Sequence, residues 1–231
     1  MIHQTTRGRT LGLFLVFLFL PLLSNADSAL KGHVIVIDAG HGTLNFQGKV
    51  INAGRRMKGR LPEYKLTLQI AAKVAELLRR EGAKVYMTRT PANGWRRSYS
   101  ASEDNRNRAT YANDLDAEAL ISIHCDYDPR SSIRGVGTYY AKKNSHKLGK
   151  YIQRNLVKTL QTKNRKLVND TYTILETAEV PAVLVESGFL SNRKEAKKLA
   201  DPAYQAKIAK ALANGLSQYF LSNQVASIPQ K

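Results

Sequence analysis

The stretch HVIVIDAGHGT, residues 33–43, indicates both the fold class and the place of a candidate site. Val34 to Ile37 are β-branched and apolar on both alternating faces, as expected of a strand covered on both sides in a mostly parallel sheet. The run ends at Asp38, and His41 follows between two glycines. Such a histidine is either a hydrogen-bonded residue of the turn or a ligand, and the stretch alone does not decide between them.

Runs of strand length recur along the chain and alternate with helix-like segments. The predicted strands are residues 33–38, 84–89, 119–124, 135–140, 172–175 and 182–186. The predicted helices are residues 62–81, 102–113, 145–161 and 203–221. In the clearest helix, Pro62 suits the first helical position and Gly82 suits the stop. The alternation predicts an α/β three-layer sandwich, with a mostly parallel sheet of about six strands flanked by helices.

The first 26 residues have the organisation of a secretory signal peptide. Two arginines precede an unbroken apolar run from Leu11 to Phe19, and small residues lead to a predicted cleavage site after Ala26. The run is shorter than the roughly 20 residues of a membrane span, although an uncleaved anchor stays as the alternative. We therefore predict an exported protein of the periplasm or cell wall, not stably inserted in the membrane after cleavage.

The formal net charge of +18 falls only to +16 when residues 1–26 are removed. So large a charge indicates an anionic partner, which can be nucleic acid, an acidic membrane surface or an anionic cell-wall polymer. Export favours the polymer, and we predict no nucleic-acid partner; a merely solvated basic surface is the alternative. The single cysteine, Cys125, excludes an internal disulfide, so the exported domain must be stable through its core.

Three further residues join His41 as candidates for chemistry. Glu63 lies in the first turn of the clearest helix, where a carboxylate either suits the helix dipole or, if buried, needs a cation. His124 and Glu186 each end a predicted apolar strand, and the carboxyl ends of parallel strands meet at one edge of a sheet. Two histidines and a carboxylate, with a second carboxylate spare, are the inventory of a catalytic zinc site. Their spacing matches no compact zinc motif.

Five blocks of sequence resemble, in this order, the zinc-dependent N-acetylmuramoyl-L-alanine amidases of the Amidase_3 type. The blocks are VIVIDAGHG, LPEYKLTLQIAAKVAELLRREGAKVYMTRT, RATYANDLDAEALISIH, GVGTYY and PAVLVESGFLSN. The resemblance implies that His41, Glu63 and His124 bind Zn²⁺ and that Glu186 is the catalytic general base. It also implies a single catalytic amidase domain at residues 27–231. The substrate would be peptidoglycan, cleaved by zinc-activated water at the amide between N-acetylmuramic acid and L-alanine of the stem peptide.

Two other functions fit the same residues. One is a zinc peptidase that acts within the stem peptide, and the other is a non-catalytic basic protein that binds the cell wall.

Only the ten residues CDYDPRSSIR separate His124 from Gly135, where some relatives insert a helix that blocks the metal. We therefore predict an open site and no obligatory activator.

Five more residues are candidates for supporting roles. Arg55, Arg56 and Arg60 lie in a basic segment between two predicted ligands, where they either bind anionic groups of the substrate or form a charged surface. Asp38 and Ser122 are candidates for orienting a metal ligand. Asp38 can instead cap its own turn through backbone hydrogen bonds.

Overall fold

The computed structural model describes residues 28–45, 47–90 and 100–226, so the predicted signal peptide lies outside the described residues. Within these ranges, no helix has the length and apolar character needed to cross a membrane. The strands are β1 Val34–Ala39, β2 Thr43–Leu44, β3 Val50–Asn52, β4 Lys84–Met87, β5 Ala119–Asp126, β6 Val136–Tyr140, β7 Asn164–Asn169 and β8 Ala182–Phe189. The helices are α1 Glu63–Arg80, α2 Ala101–Asp114, α3 Lys143–Leu160, α4 Thr173–Thr177, α5 Arg193–Leu199 and α6 Pro202–Ala226.

Six strands form one mixed sheet in the order β4-β1-β5-β8-β6-β7. Strands β4, β1, β5 and β8 run parallel to one another. Strand β6 is antiparallel to β8, and β7 is parallel to β6. Strands β2 and β3 form a separate antiparallel ribbon. The prediction of a mostly parallel sheet of about six strands is confirmed.

Helices cover both faces of this sheet. Helices α1, α3 and α6 pack on one face, where Ile37 and Ile121 belong to the larger apolar core. Helices α2 and α4 pack on the other face, which buries Val36 and Leu120. Neighbouring residues of one strand are therefore buried on opposite faces, which explains the unbroken apolar runs in the sequence.

One local prediction is wrong, and one strand was not predicted. Residues 172–175, predicted as a strand, lie mostly in helix α4, where the consecutive residues Ile174 and Leu175 are both buried in one core. A helical turn allows this, whereas a strand would direct them to opposite faces. The sheet edge is instead β7, in which four of the six residues are polar and exposed, so it lacks the apolar signal of a strand.

The register of the sheet places the candidate residues together. Asp38 of β1 pairs with Ser122 of β5, and His124 of β5 pairs with Glu186 of β8. All three strands are parallel, so their carboxyl ends form one edge of the molecule. Helix α1 begins beside this edge with Glu63.

Candidate metal centre and active site

His41, Glu63 and His124 come from three different elements and meet at the carboxyl edge of the sheet. His41 Nε2 lies 3.1 Å from Glu63 Oε1, and His124 Nδ1 lies 3.3 Å from the same oxygen. Two donor atoms held at roughly 2.0–2.1 Å from one tetrahedral zinc ion stand about 3.3 Å apart. The three donor atoms lie within 4.8 Å of one another. Among the described residues, no other cluster of three or more His, Cys, Asp or Glu side chains could hold a metal ion. These side chains can hold a metal ion.

The Glu63 carboxylate is buried and held by two backbone amides. Arg55 N donates to Oε2 at 2.9 Å, and Cys125 N donates to Oε1 at 3.1 Å. Burial alone would raise the pKa of Glu63, but hydrogen bonds from His124 and His41 outweigh it and lower the pKa. Glu63 is therefore an anion fixed at the first turn of α1, as a ligand to a cation must be.

His41 is fixed through its other ring nitrogen. Its Nδ1 lies 2.9 Å from Asn52 Oδ1, an oxygen that also accepts from Gly54 N at 3.3 Å. A proton on Nδ1 leaves Nε2 available to bind a cation beside Glu63. Burial lowers the pKa of His41, but the hydrogen bond and charge of Glu63 outweigh it and raise the pKa. The surroundings of Nε2 thus favour a positive charge.

Two buried arginines hold the turn that carries His41 from behind. Arg108 donates to the carbonyl oxygens of Ala39 at 3.0 Å and His41 at 2.9 Å. Arg89 donates to the carbonyl oxygens of Ala39 at 2.8 Å and Gly40 at 3.0 Å. His41 has a φ of 62°, a left-handed conformation that a residue with a side chain adopts at a cost. The arginines stabilise this conformation, which directs the imidazole to the cleft.

Asp38 and Ser122 belong to this supporting network. Asp38 accepts hydrogen bonds from Ser122 and Thr88, each at 2.6 Å, and from Arg108 at 2.7 Å. Burial raises the pKa of Asp38, but Arg108 and the two hydroxyl donors lower it to about 2. Asp38 contacts the metal centre only indirectly: it binds Arg108, and Arg108 NH2 donates a hydrogen bond to the carbonyl oxygen of His41.

Glu186 lines the same cleft, which has a volume of about 360 Å³. Its Oε2 is buried, and no hydrogen-bond partner for it is found in the described part of the chain. Burial, together with the negative charges of Asp126 and Glu63, raises the pKa of Glu186 well above its ordinary value. A carboxyl group with raised proton affinity beside a candidate metal centre is suited to proton transfer.

The three candidate arginines lie in different places. Arg55 lines the cleft, and its guanidinium lies 4.7 Å from the ring centroid of Tyr127. Arg56 is exposed and is not among the residues that line the cleft. Arg60 donates to the Leu190 carbonyl at 2.7 Å and lines a separate cavity of about 390 Å³. The structure therefore brings only Arg55 to Glu186 and the predicted ligands.

No pattern in the sequence marks Asn52, Arg89 or Arg108 as a member of the site. Asn52 lies in a segment whose main feature is its positive charge, and neither arginine has a local pattern that indicates burial. A Cβ at Gly40 would lie 2.4 Å from the His124 ring, so the glycine lets the imidazole approach the backbone.

Comparison with known proteins gives the family of the chain. The model of the family described as N-acetylmuramoyl-L-alanine amidase matches residues 35–218. The germination-specific N-acetylmuramoyl-L-alanine amidase of Bacillus subtilis (strain 168) is 34% identical over 224 residues, which cover 90% of this chain and 91% of that protein. The probable cell wall amidase LytH of Staphylococcus epidermidis is 31% identical over 199 residues, and the match spans 86% of this chain and 62% of that protein.

Solved structures agree with this match. The catalytic domain of CwlV, an N-acetylmuramoyl-L-alanine amidase from Bacillus (Paenibacillus) polymyxa var. colistinus, is 26% identical with a TM-score of 0.69, covering 81% of this chain and 97% of that chain. The CwlD amidase from Clostridioides difficile, solved in complex with the GerS lipoprotein, is 30% identical with a TM-score of 0.64, covering 83% of this chain and 100% of that chain. The chain therefore belongs to the N-acetylmuramoyl-L-alanine amidase family of peptidoglycan hydrolases.

Proposed function

We propose that this amidase holds a zinc ion with His41, Glu63 and His124 and hydrolyses the amide between N-acetylmuramic acid and L-alanine of the stem peptide. The observation that carries the proposal is the spacing of 3.1 and 3.3 Å from the two imidazole nitrogens to one oxygen of Glu63. These three residues would hold the ion, and a catalytic zinc site with three protein ligands would keep one position for water or substrate.

Glu186 moves the protons in this proposal. Bound zinc would supply a Lewis acid that polarises the amide carbonyl and lowers the pKa of a water molecule. Glu186 takes a proton from the attacking water and gives it to the leaving amine of alanine. Its raised pKa suits both steps, because the group must accept a proton and then release it. The carbon–nitrogen bond breaks, a carbon–oxygen bond forms, and the products are a carboxylate and an ammonium.

Arg55 is the residue best placed to bind an anionic group of the substrate. It is exposed at the cleft, and its backbone amide is already fixed by Glu63. Arg56, its exposed neighbour, is a matched control because it lies outside the cleft. Arg55→Ala is expected to raise KM for muropeptides, whereas Arg56→Ala should leave KM unchanged.

The place of action follows from the proposed signal peptide. We propose that residues 1–26 direct export and that residues 27–231 act as one catalytic domain in the periplasm or cell wall. Similarity to cell wall amidases supports an exported or cell-wall location. We propose that no activator is obligatory, so the purified protein with zinc should cleave isolated sacculi by itself.

Mass analysis of digested sacculi tests the activity. The proposal predicts glycan strands free of peptide and intact stem peptides that begin with alanine. Shortened peptides still attached to sugar would instead indicate a zinc peptidase. Absence of any released peptide from the zinc-loaded protein would contradict the proposed function.

A further inference from the structure

Positive charge is concentrated in one segment of the chain. Between Asp128 and Asp170 there are eleven lysines and arginines and no aspartate or glutamate. This segment therefore contributes +11 to a total of +18. It folds as β6, α3 and β7, which together form one side of the molecule at the edge of the sheet.

Nine of these cations are exposed, and we call the seven on α3, on β7 and in the turn between them the basic edge. Four of them lie on α3: Lys143, Lys150, Arg154 and Lys158. The other three follow in the turn and on β7: Lys163, Arg165 and Lys166. Across the described ranges, no ion pair joins any of the seven to a carboxylate. The basic edge therefore presents a net positive charge to solvent, although Arg165 also interacts with the charges of Asp126 and Asp128.

Protection of the sheet edge explains only part of this charge. Charged side chains on β7 oppose pairing with a strand of another chain. Helix α3 has no open edge, yet Lys150, Arg154 and Lys158 follow one another at spacings of four residues. Like charges at this spacing repel each other and destabilise a helix. An anionic ligand along the helix would remove this repulsion.

The basic edge begins beside the cleft. Gly137 of β6 lies opposite Glu186 of β8 in the sheet, and a Cβ on Gly137 would be 3.5 Å from Arg165 Cβ. The Arg165 guanidinium lies 5.7 Å from the ring centroid of Phe189, near the end of β8. From Lys158 to Lys143, α3 continues the row for about 22 Å at the rise of an α-helix. A linear ligand can therefore occupy the cleft and the basic edge at once.

The reaction itself makes an anionic linear ligand. Hydrolysis leaves the lactyl group of each processed N-acetylmuramic acid as a carboxylate, while the ammonium departs on the alanine of the stem peptide. The sugar backbone thus gains one lactyl carboxylate at every cleavage, while the stem peptide leaves with its own carboxylates. The basic edge has the complementary charge and lies next to the group proposed to transfer the proton.

We propose that the basic edge binds the denuded glycan strand and keeps the enzyme on one strand for successive cleavages. This inference rests on the proposed function, because only cleavage at the lactyl amide creates the carboxylates. A membrane surface fits less well, since none of the exposed large apolar residues found in the described ranges lies on the basic edge.

A binding measurement tests the proposal without catalysis. The probes are denuded glycan strands and the same strands with each lactyl carboxylate capped as a methylamide. The test variant is Lys150→Glu/Arg154→Glu/Lys158→Glu, and the control is Lys194→Glu/Lys207→Glu/Lys210→Glu, which alters total charge equally on α5 and α6. Wild type and control should bind the carboxylate strand about tenfold more tightly than the test variant does, and the difference should disappear at high salt. Capped strands should bind all three proteins equally weakly.

Limited digestion of uncrosslinked glycan strands tests the consequence for catalysis. Wild type and control should give fully denuded strands beside untouched ones, whereas the test variant should give randomly denuded strands. All three should cleave a single disaccharide–peptide at the same rate, because that substrate does not reach α3. Equal patterns for all three proteins would overturn the proposal, as would charge-dependent binding to anionic phospholipid vesicles without binding to denuded strands. A wild type that cleaves nothing would refute the proposed function instead, and the binding measurement would still stand.

Discussion

Gly54 lies against the metal centre with a φ of +62°, and it offers a sharp test of the proposed ligands. A Cβ at this position would lie 2.5 Å from Glu63 Oε2 and 2.5 Å from His41 Cδ2. Ordinary van der Waals contact starts at 3.4 Å, so the Glu63 and His41 side chains would have to move away from the new Cβ by about 0.9 Å. Zinc sites keep their distances within about 0.2 Å. Gly54→Ala should therefore weaken zinc binding about 100-fold.

Gly48 provides the matched control. Its φ is +78°, and a Cβ there would have nothing within 4 Å. Alanine at either position adopts the left-handed conformation at a cost of about 1–2 kcal/mol. Urea denaturation of the metal-free proteins should show this loss of unfolding free energy in both variants, with a further loss of about 1–3 kcal/mol in Gly54→Ala from the clash with Glu63 and His41. Competition with a chromophoric chelator should show weakened zinc binding in Gly54→Ala only. Equal zinc affinity in the two alanine variants would refute the assignment of Glu63 and His41 as ligands.

Two further substitutions test the groups that support the ligands. Asn52→Leu removes the acceptor for His41 Nδ1, so zinc affinity should fall about 10–100-fold in the same chelator competition; an unchanged affinity would show that Asn52 does not orient His41. Asp38→Asn removes one of the two carboxylates that pair with the buried Arg108, so urea denaturation at pH 7 should show a loss of about 2–3 kcal/mol. Because the pKa of Asp38 is about 2 when folded and 3.8 when unfolded, about 2 kcal/mol of this loss should be constant above pH 4 and fade as the pH falls to 2. A gap between wild type and Asp38→Asn that stays constant down to pH 2 would contradict the low pKa.

The sequence indicates the parts of the fold whose residues are buried on both faces. Strands β1, β5 and β8 have unbroken apolar runs, and their parallel order predicts that His41, His124 and Glu186 share one edge. Glu63 follows from the sheet-facing stripe of α1. The structure brings these four residues together, and the identity of the bound ion stays a prediction.

Other features depend on contacts that no local pattern encodes. Strand β7 pairs through its backbone while four of its six side chains are polar and exposed, so its sequence resembles a loop. Arg108 is fully buried because Asp38 and Asp104, distant from each other in sequence, both bind its guanidinium. Arginine is rarely buried without such partners, so its location cannot be read from composition or spacing.

The central claim is that zinc is held by His41, Glu63 and His124 while Glu186 transfers the proton. It is tested most directly by measuring zinc content and peptide release from sacculi for wild type, His41→Ala and Glu186→Gln. The account predicts one zinc ion per chain in wild type and in Glu186→Gln, with release by Glu186→Gln about 10²–10⁴-fold slower. His41→Ala should lose both zinc and activity. Full zinc content in His41→Ala, or peptide release by Glu186→Gln at the wild-type rate, would contradict it.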